Sequence, residues 1–437
     1  FEGVLSKPWS GGGYGFTRDQ KRTSAGIIST RLHEGIDIRP VKRDAGGEPL
    51  DDVRSIAGGT VVYVSETVST AEDEIDEAAI RQIRNGNNLT RPSLIELEAA
   101  ELFAEIIDSV DMVKFTKNGS TSVSAAVKLA RAYTGRELIA RCAEHPFFSY
   151  DDWFIGSTPL TRGVPGTAID QTKQFHYNNI GSLRSLFEEF PGEIACVVLE
   201  PATNSHPEKD FLGQVQALCR SQGAVLIFDE MITGFRWHLK GAQHYYGLQP
   251  DLCTFGKAMA NGFSVSCVAG RREIMELGSI EFPGRERVFL LSTTHGAEMC
   301  GMGALVATIR YLQREPVIEH LWRYGQQLMD LINRVAAEFD VKASLTAGGI
   351  PCSPFYQTLD AAGNPSLALR TLFSQEMIRN GVLMPWIALS YRHRDEELAL
   401  TERALRAALP VYRQALESNA EGFLKGPAIK PVFRKCN

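Results

Sequence analysis

Short apolar runs alternate with amphipathic helical stretches from about residue 110 onward, and this alternation constrains the fold more than any other feature of the chain. The runs with the length and β-branched content of buried strands are residues 112–115, 194–200, 224–229, 252–255 and 265–270. Helical patterns lie between them, such as residues 120–134, which Gly135 can end. The pattern predicts an α/β domain around a largely parallel sheet.

The pattern changes after about residue 313. A long amphipathic helix over 316–339 precedes a Gly/Pro-rich passage over 348–365, a helix ending near Gly381 and a last helix over 395–417. This order predicts a smaller C-terminal α+β domain. We therefore divide the chain into an atypical N-terminal segment (1–75), a large domain (76–312) and a small C-terminal domain (313–437).

Composition narrows the possible partners and the compartment. The formal net charge of -6 gives no electrostatic reason to expect nucleic acid or an anionic membrane. No apolar run approaches the length of a transmembrane helix. The eight cysteines are scattered without a CxxC pair, which is typical of a reducing compartment. We expect a cytoplasmic protein that binds neither nucleic acid nor a membrane.

The stretch DLCTFGKAMANG, residues 251–262, places one lysine among small and apolar neighbours. A lysine kept from water can act as a neutral amine, which is a nucleophile toward carbonyl carbon. A lysine that snorkels from a loop is the alternative, and on this stretch alone it is the better one. Lys257 is therefore a candidate that needs support from other motifs.

The segment AVLIFDEMITGFR, residues 224–236, is an apolar strand that ends in two acids. Ligands gather at the carboxyl ends of strands in α/β proteins, so Asp229 is a candidate site residue. The Walker B acid of an ATPase is an alternative, but the chain lacks the GxxxxGK[ST] loop that this interpretation requires.

The segment KNGSTSVSAAVKLARAYTG, residues 117–135, joins a strand to a helix. Exposed amides at a helix N-terminus bind phosphate well, although Ser120 or Thr121 as a helix cap explains the segment equally well and both can hold at once. A phosphate cradle, a carboxylate and an amine match the phosphate, the ring nitrogen and the aldehyde of pyridoxal 5'-phosphate.

These motifs resemble those of class III, fold type I pyridoxal-phosphate aminotransferases, in particular the branch of glutamate-1-semialdehyde 2,1-aminomutase. The resemblance runs from about Glu74 to Asn437 and also includes NLTRPSLIELEAAELF, STTHGAE and KPVFRKCN. It implies a large cofactor-binding domain with a mostly parallel sheet and a smaller C-terminal α+β domain.

The resemblance also implies roles for individual residues. Lys257 is matched to the Schiff-base lysine that shuttles the proton, and Asp229 to the ionised partner of the pyridinium nitrogen. The other cofactor-binding matches are Gly119 and Ser120 for the phosphate, Met231 for one ring face, Glu200 in a Glu-Pro turn, and Thr294 for the phosphate of the neighbouring subunit. The last match implies a homodimer with shared active sites.

The chain departs from the family where an aromatic-His-Gly turn normally supplies the ring-stacking side chain. The sequence there is ARCAEHPFFSYDDW, in which His145 matches the histidine but Glu144 occupies the aromatic position. We assign stacking to Phe147, with Phe148 equally available. The shortened stretch MPWIALSYRH, residues 384–393, leaves the substrate unidentified.

The N-terminal segment differs from the family's start. The motif HxGxD, with His33 and Asp37, is similar to the first part of a lysostaphin-like zinc peptidase, but the later HxH is absent. We therefore predict no metal site. The stretch VKRDAGGEPLDD, residues 41–52, is alternatively a diverged version of the family's early hairpin.

The predicted function is amino transfer between a small-molecule amino donor and an aldehyde or ketone acceptor through Lys257. Two alternatives remain: intramolecular amino transfer, as in an aminomutase, and an inactive relative that serves as a scaffold.

Overall fold

The computed structural model describes residues 21–23, 26–28, 72–89, 91–291 and 293–435. The strands are β1 Lys21–Thr23, β2 Gly26–Ile28, β3 Met112–Thr116, β4 Leu138–Cys142, β5 Thr172–Phe175, β6 Ile194–Leu199, β7 Val225–Asp229, β8 Leu252–Phe255, β9 Ser266–Gly270, β10 Leu345–Ile350 and β11 Ser353–Thr358. The α-helices are α1 Glu72–Arg84, α2 Leu94–Ile106, α3 Gly119–Thr134, α4 Asp152–Ile155, α5 Gly166–Asp170, α6 Ile180–Glu189, α7 Phe211–Gln222, α8 Gly241–Tyr245, α9 Arg272–Met275, α10 Met299–Arg314, α11 Val317–Glu338, α12 Leu367–Arg379 and α13 Asp395–Glu417.

A seven-stranded sheet in the order β3-β9-β8-β7-β6-β4-β5 forms the centre of the fold. The pairings from β8 through β7, β6 and β4 to β5 are parallel, whereas β9 pairs antiparallel with both β3 and β8. Every predicted strand is present in this sheet. The predicted α/β class with a mostly parallel sheet is therefore confirmed.

The apolar pattern did not predict strands β4 and β5, because polar side chains interrupt it in both. Arg141 in β4 is buried, and its guanidinium donates to Ser157 Oγ at 2.7 Å and to the Ser157 carbonyl at 2.8 Å. Strand β5, at the edge of the sheet, has the sequence TKQF. Satisfied polar groups in a strand and a half-exposed edge both weaken the hydrophobic signal.

Helices cover both faces of the sheet. Strand β6 is buried along its whole length, with Cys196 and Val198 in one apolar cluster and Val197 and Leu199 in another. The first cluster includes the inner face of α3 and the second includes residues of α6 and α7. A strand buried on both faces explains why its sequence is continuously apolar rather than alternating.

The C-terminal part combines helices with a small antiparallel sheet. The predicted helices over 316–339 and 395–417 correspond to α11 and α13. The Gly/Pro-rich passage contains part of the hairpin β10–β11, which begins at Leu345. These elements agree with the predicted α+β class of the C-terminal part. The domain boundaries near residues 75 and 312 stay predictions.

Two sequence expectations concern the N-terminal segment. His33 and Asp37 lie outside the described residues, and so does the diverged-hairpin alternative at residues 41–52. In the part of the chain that the structure describes, no helix is long and apolar enough to cross a membrane.

Candidate active site

The carboxyl-terminal edge of the parallel strands collects the predicted site residues. Asp229 is the last residue of β7, and Lys257 follows the end of β8 by two positions. A cavity of about 580 Å³ opens at this edge, close to the start of α3. Every predicted site residue except Thr294 lines it: Gly119, Ser120, Phe147, Glu200, Asp229, Met231 and Lys257. The cavity has the size of a typical small-molecule site.

Asp229 is a buried carboxylate with two fixed donors. The Met231 amide and the Thr254 hydroxyl each donate to Oδ1 at 3.0 Å, and the residue is only 3% exposed. Burial raises the pKa of Asp229 to about 6, against the lowering effects of the Lys257 charge and of the two hydrogen bonds. The carboxyl group therefore stays mainly ionised at pH 7. Burying this charge costs free energy, which a cationic partner would offset.

Lys257 has an unusual backbone conformation at the strand end. Its φ angle is 46°, in the left-handed region that non-glycine residues rarely occupy. The following residues Ala258, Met259 and Ala260 are buried and form a short 3-10 turn, while the lysine itself is half-buried on the cavity wall. Backbone strain of this kind concentrates at functional sites. The apolar neighbours expected from the sequence are thus buried next to Lys257, while the lysine itself lines the cavity.

The N-terminus of α3 presents backbone amides at the cavity. Asn118 caps the helix, and its side-chain oxygen accepts from the Thr121 amide at 2.9 Å. The first amides of a helix have no intrahelical acceptor, which leaves those of Gly119 and Ser120 for an anion. Asn118, rather than Ser120 or Thr121, is therefore the cap, and the phosphate cradle is compatible with it.

Met231 is held between two glycines. A Cβ on Gly119 would lie 3.0 Å from Met231 Sδ, and a Cβ on Gly256 would lie 2.6 Å from it. These approaches are closer than carbon and sulfur tolerate, so only glycine at both positions leaves room for the thioether. The arrangement fixes a polarisable side chain on the cavity wall.

The structure separates Glu144 from the cavity. Its carboxylate accepts from the Tyr177 amide at 2.9 Å and lies 2.7 Å from His176 Nδ1. Phe147 and Phe148 both line the cavity instead, but Phe148 is packed in the core whereas Phe147 is 48% exposed. Phe147 therefore has the freedom to meet a ligand, and its stacking role stays a prediction.

His145 supports the Glu-Pro turn from behind. Its Nδ1 accepts from the Glu200 amide at 3.0 Å, and burial lowers the pKa of His145 to about 3, which keeps the ring neutral. The Tyr177 hydroxyl donates to the Pro201 carbonyl at 2.7 Å. These contacts hold the turn that carries Glu200 to the cavity.

Thr294 lies outside the cavity of its own chain and is exposed. Its turn is tied to the start of α3 through an ion pair, in which Lys117 Nζ lies 2.5 Å from Glu298 Oε2. Asn87 Nδ2 donates to the other oxygen of Glu298 at 2.8 Å. The turn is therefore anchored near the phosphate cradle while Thr294 itself does not line the cavity.

Sequence reasoning missed three residues of the site. Thr254 pairs with Asp229 across β7 and β8, and the strand pattern carried a signal for it because Thr254 lies opposite a strand-end acid. Lys117 precedes the helix cap in the same motif as Gly119. Trp386 reaches the cavity from the loop between α12 and α13, and no local pattern indicated this.

Comparisons with known proteins agree with this geometry. A family model described as aminotransferase class-III matches residues 63–354. The 3-aminobutyryl-CoA aminotransferase of Cloacimonas acidaminovorans (strain Evry) is 31% identical over 382 residues, which are 85% of this chain and 89% of that protein. The glutamate-1-semialdehyde 2,1-aminomutase of Clostridium tetani (strain Massachusetts / E88) is 33% identical over 390 residues, 84% of this chain and 91% of that one.

A solved structure has the same fold. The FumI protein of Sphingopyxis sp. MTA144, in its pyridoxal-phosphate internal aldimine form, superimposes with a TM-score of 0.73 at 25% identity, over 82% of this chain and 84% of that chain. The chain belongs to the class-III aminotransferase family. It is thus a fold type I, pyridoxal-phosphate-dependent enzyme of the aminotransferase and aminomutase class, as the sequence resemblance implied.

The described residues fit this cofactor. The Gly119 and Ser120 amides suit a phosphate, and the buried Asp229 carboxylate, whose two hydrogen bonds both involve Oδ1, suits a protonated ring nitrogen. The amine of Lys257 belongs to the same cavity. In the described ranges, no group of three or more His, Cys, Asp or Glu residues could hold a metal ion.

Proposed function

We propose that this enzyme transfers an amino group from a small-molecule amino donor to an aldehyde or ketone acceptor. The observation that carries the proposal is the convergence of Lys257, Asp229 and the N-terminus of α3 on one cavity. The net reaction balances without an external oxidant or reductant, because the donor amine becomes a carbonyl compound and the acceptor carbonyl compound becomes an amine.

Each residue has a defined task in this proposal. The cofactor supplies an electrophilic aldehyde and a ring that accepts an electron pair. With the cofactor bound, Lys257 would hold its aldehyde end, would take the proton from the donor carbon that bears nitrogen, and would return it to the cofactor. Asp229 keeps the ring nitrogen protonated. The Gly119 and Ser120 amides bind the phosphate.

The remaining cofactor contacts orient the ring. Met231 would pack on one face of the ring and Phe147 would stack on the other, while Glu200 would border the ring from its Glu-Pro turn. The side chain of Met231 lies between two glycines, and the ring of Phe147 is 48% exposed, so a bound cofactor ring would cover it. Both contacts align the ring with Lys257 for proton transfer.

The oligomeric state and the compartment are part of the proposal. We expect a homodimer in which Thr294 donates a hydrogen bond to the phosphate in the neighbouring subunit, which its exposed position outside its own cavity supports. A cytoplasmic location is supported by the described cysteines, all of which are free.

Intramolecular amino transfer is a second candidate, which the 33% identity to the Clostridium tetani aminomutase favours. In that reaction the donor and the acceptor belong to one carbon skeleton. The same roles of Lys257 and Asp229 serve both reactions. The difference is whether the first carbonyl product leaves before the second amine forms.

The experiment follows the bound cofactor by absorbance. Adding an amino donor alone to the loaded enzyme should convert the aldehyde form to the amino form, and adding a carbonyl acceptor should restore it.

Borohydride treatment of the loaded enzyme should leave reduced cofactor on the peptide that contains Lys257, and Lys257→Ala should abolish turnover. Label on another lysine would overturn the assignment. Isomerisation of a single amino-carbonyl substrate, without release of an intermediate between the two half-reactions, would favour the aminomutase reaction.

A further inference from the structure

Two exposed aromatic side chains from distant parts of the chain line the cavity. Phe147 follows β4 and is 48% exposed, and Trp386, in the loop before α13, is 50% exposed. A half-exposed tryptophan on a cavity wall leaves apolar surface in contact with water, and a ligand that buries this surface gains binding free energy. Phe263 and Ile232 extend this apolar lining.

Trp386 is held in place by the backbone that precedes it. The Tyr356 hydroxyl oxygen lies 3.0 Å from the Met384 carbonyl and 2.9 Å from the Pro385 carbonyl, which share its one donated proton. Arg370 Nη2 donates to the same Pro385 carbonyl at 2.9 Å, and its guanidinium lies over the Tyr356 ring. The loop is therefore fixed although its indole is exposed, and a fixed aromatic surface loses little entropy when it binds a ligand.

The described part of the cavity wall offers few cations that could bind a carboxylate on the substrate. The ionisable side chains that line it within the described residues are Lys117, Glu200, Asp229 and Lys257. Lys117 is paired with Glu298 at 2.5 Å, and the proposed function assigns Asp229 and Lys257 to the cofactor. No arginine from the described ranges lines the cavity, so the fork that best binds a carboxylate is absent from this part of the wall.

The surroundings behind Trp386 are mostly apolar. A second, smaller pocket of about 50 Å³ shares this tryptophan and is lined mainly by apolar residues such as Leu328 and Val382, with Glu397 and Thr401 on the same wall. Burial lowers the pKa of His393, which also lines that pocket, to about 4, so the imidazole carries no charge there at neutral pH.

We infer that Trp386 and Phe147 bind an apolar substituent, aryl or branched alkyl, of the amino donor. The inference rests on the proposed function and names its substrate class. Trp386 is the residue that determines this specificity, because Phe147 also serves the cofactor ring.

The test compares three donors, each with its amino group on a carbon that bears a methyl group: 1-phenylethylamine, 3-aminobutanoate and isopropylamine. The loaded enzyme should show a kcat/KM for 1-phenylethylamine at least roughly tenfold above that for 3-aminobutanoate. Trp386→Ala should raise KM for 1-phenylethylamine by roughly tenfold and leave the kinetics with isopropylamine within about twofold. Trp386→Phe should restore most of the loss.

A binding measurement provides a readout apart from turnover. The alcohol 1-phenylethanol lacks the amine and cannot react, so calorimetry with the loaded enzyme reports the apolar contact alone. Its Kd should rise by roughly tenfold in Trp386→Ala. Tyr133→Ala is the matched control, because Tyr133 is an exposed aromatic residue on α3 outside the cavity. This control should change neither the Kd nor the KM values.

The outcomes separate this inference from the proposed function. Conversion of the bound cofactor by all donors, without preference for 1-phenylethylamine, would overturn the inference alone. An equal loss with all three donors in Trp386→Ala would mean that the indole packs against the protein itself, and would also overturn it. No conversion by any donor would overturn the proposed function and this inference with it.

Discussion

Asp229 illustrates how the burial of a single carboxyl group can lower the stability of the free protein. Its carboxyl group is buried, and burial raises its pKa from the ordinary 3.8 to about 6. Between these pH values the folded protein keeps a proton that the unfolded chain has released. The contribution of this group to the free energy of unfolding therefore falls as pH rises from about 4 to about 6 and stays low above that.

Asp229→Asn should make the cofactor-free protein more stable at pH 8. The amide keeps an oxygen that accepts from Met231 and Thr254 but removes the buried charge. The difference between the two pKa values corresponds to at most about 3 kcal/mol. Denaturant unfolding should show this gain at pH 8 and little difference at pH 4. Exposed Asp76→Asn is the control, and equal pH dependence in the Asp229 variant and the wild type would contradict the argument.

The same variant should lose activity while its fold persists. An asparagine side chain at this position cannot keep a ring nitrogen charged, so the cofactor should bind more weakly and turnover should fall by about 10²-fold or more. Circular dichroism checks the fold, and cofactor titration with steady-state kinetics checks the two losses. Near-normal turnover would refute the role of Asp229 in catalysis.

At the scale of elements, the site depends on how closely β8 and the start of α3 approach the turn after β7. Met231 occupies the space between Gly256 and Gly119, and Gly256 directly precedes Lys257. The two glycines therefore act through packing and close approach. This packing couples the position of a ring-face side chain to the backbone that carries the lysine.

Gly256→Ala should displace Met231 and weaken cofactor binding. The new Cβ would lie 2.6 Å from Met231 Sδ and 2.8 Å from Ser266 Oγ, so one of these groups must move. We expect a loss of about 1 to 3 kcal/mol in the free energy of unfolding, as for overpacked cores, and roughly tenfold weaker cofactor binding. Gly166→Ala is the control because a Cβ there meets nothing within 4 Å. Wild-type cofactor affinity in Gly256→Ala would show that this packing is unimportant.

At the scale of the whole molecule, the proposed dimer completes each site with a residue of the other subunit. Thr294 is exposed and lies outside the cavity of its own chain, while the Lys117–Glu298 ion pair ties its turn to the phosphate cradle. A hydroxyl that donates to a phosphate makes a charge-assisted hydrogen bond of about 1.5 to 3 kcal/mol. The local alternative is a turn whose threonine serves only its own chain.

Thr294→Val should therefore weaken cofactor binding by roughly tenfold or more. At a cofactor concentration well below the Kd of Thr294→Val, where both homodimeric variants have little activity, mixing Lys257→Ala chains with Thr294→Val chains should raise activity, because one site of the heterodimer then carries both lesions and the other carries neither. Exchange is monitored with two differently tagged chains, and separately incubated chains are the control. An active monomer, or no recovery despite proven exchange, would contradict shared sites.

The sequence alone determined the strands of the sheet that are buried on both faces and the residues at their ends. Apolar runs such as 194–200 and 224–229 report burial within a single element, so their period predicts strands without knowledge of the neighbours. Parallel strands end at one edge, which is why Asp229 and Lys257 could be predicted to meet. The α/β class, the family and its cofactor followed from these motifs.

Only the tertiary structure decided which side chains complete the site. Strand β4 gave no continuous apolar pattern because it contains Arg141, which bonds to Ser157 outside the strand. Strand β5 gave none because it is a half-exposed edge strand. Glu144 turns to His176 and Tyr177, and Trp386 enters the cavity from a loop that Tyr356 and Arg370 fix. Such positions depend on packing between distant segments, which leaves no periodic trace in the local sequence.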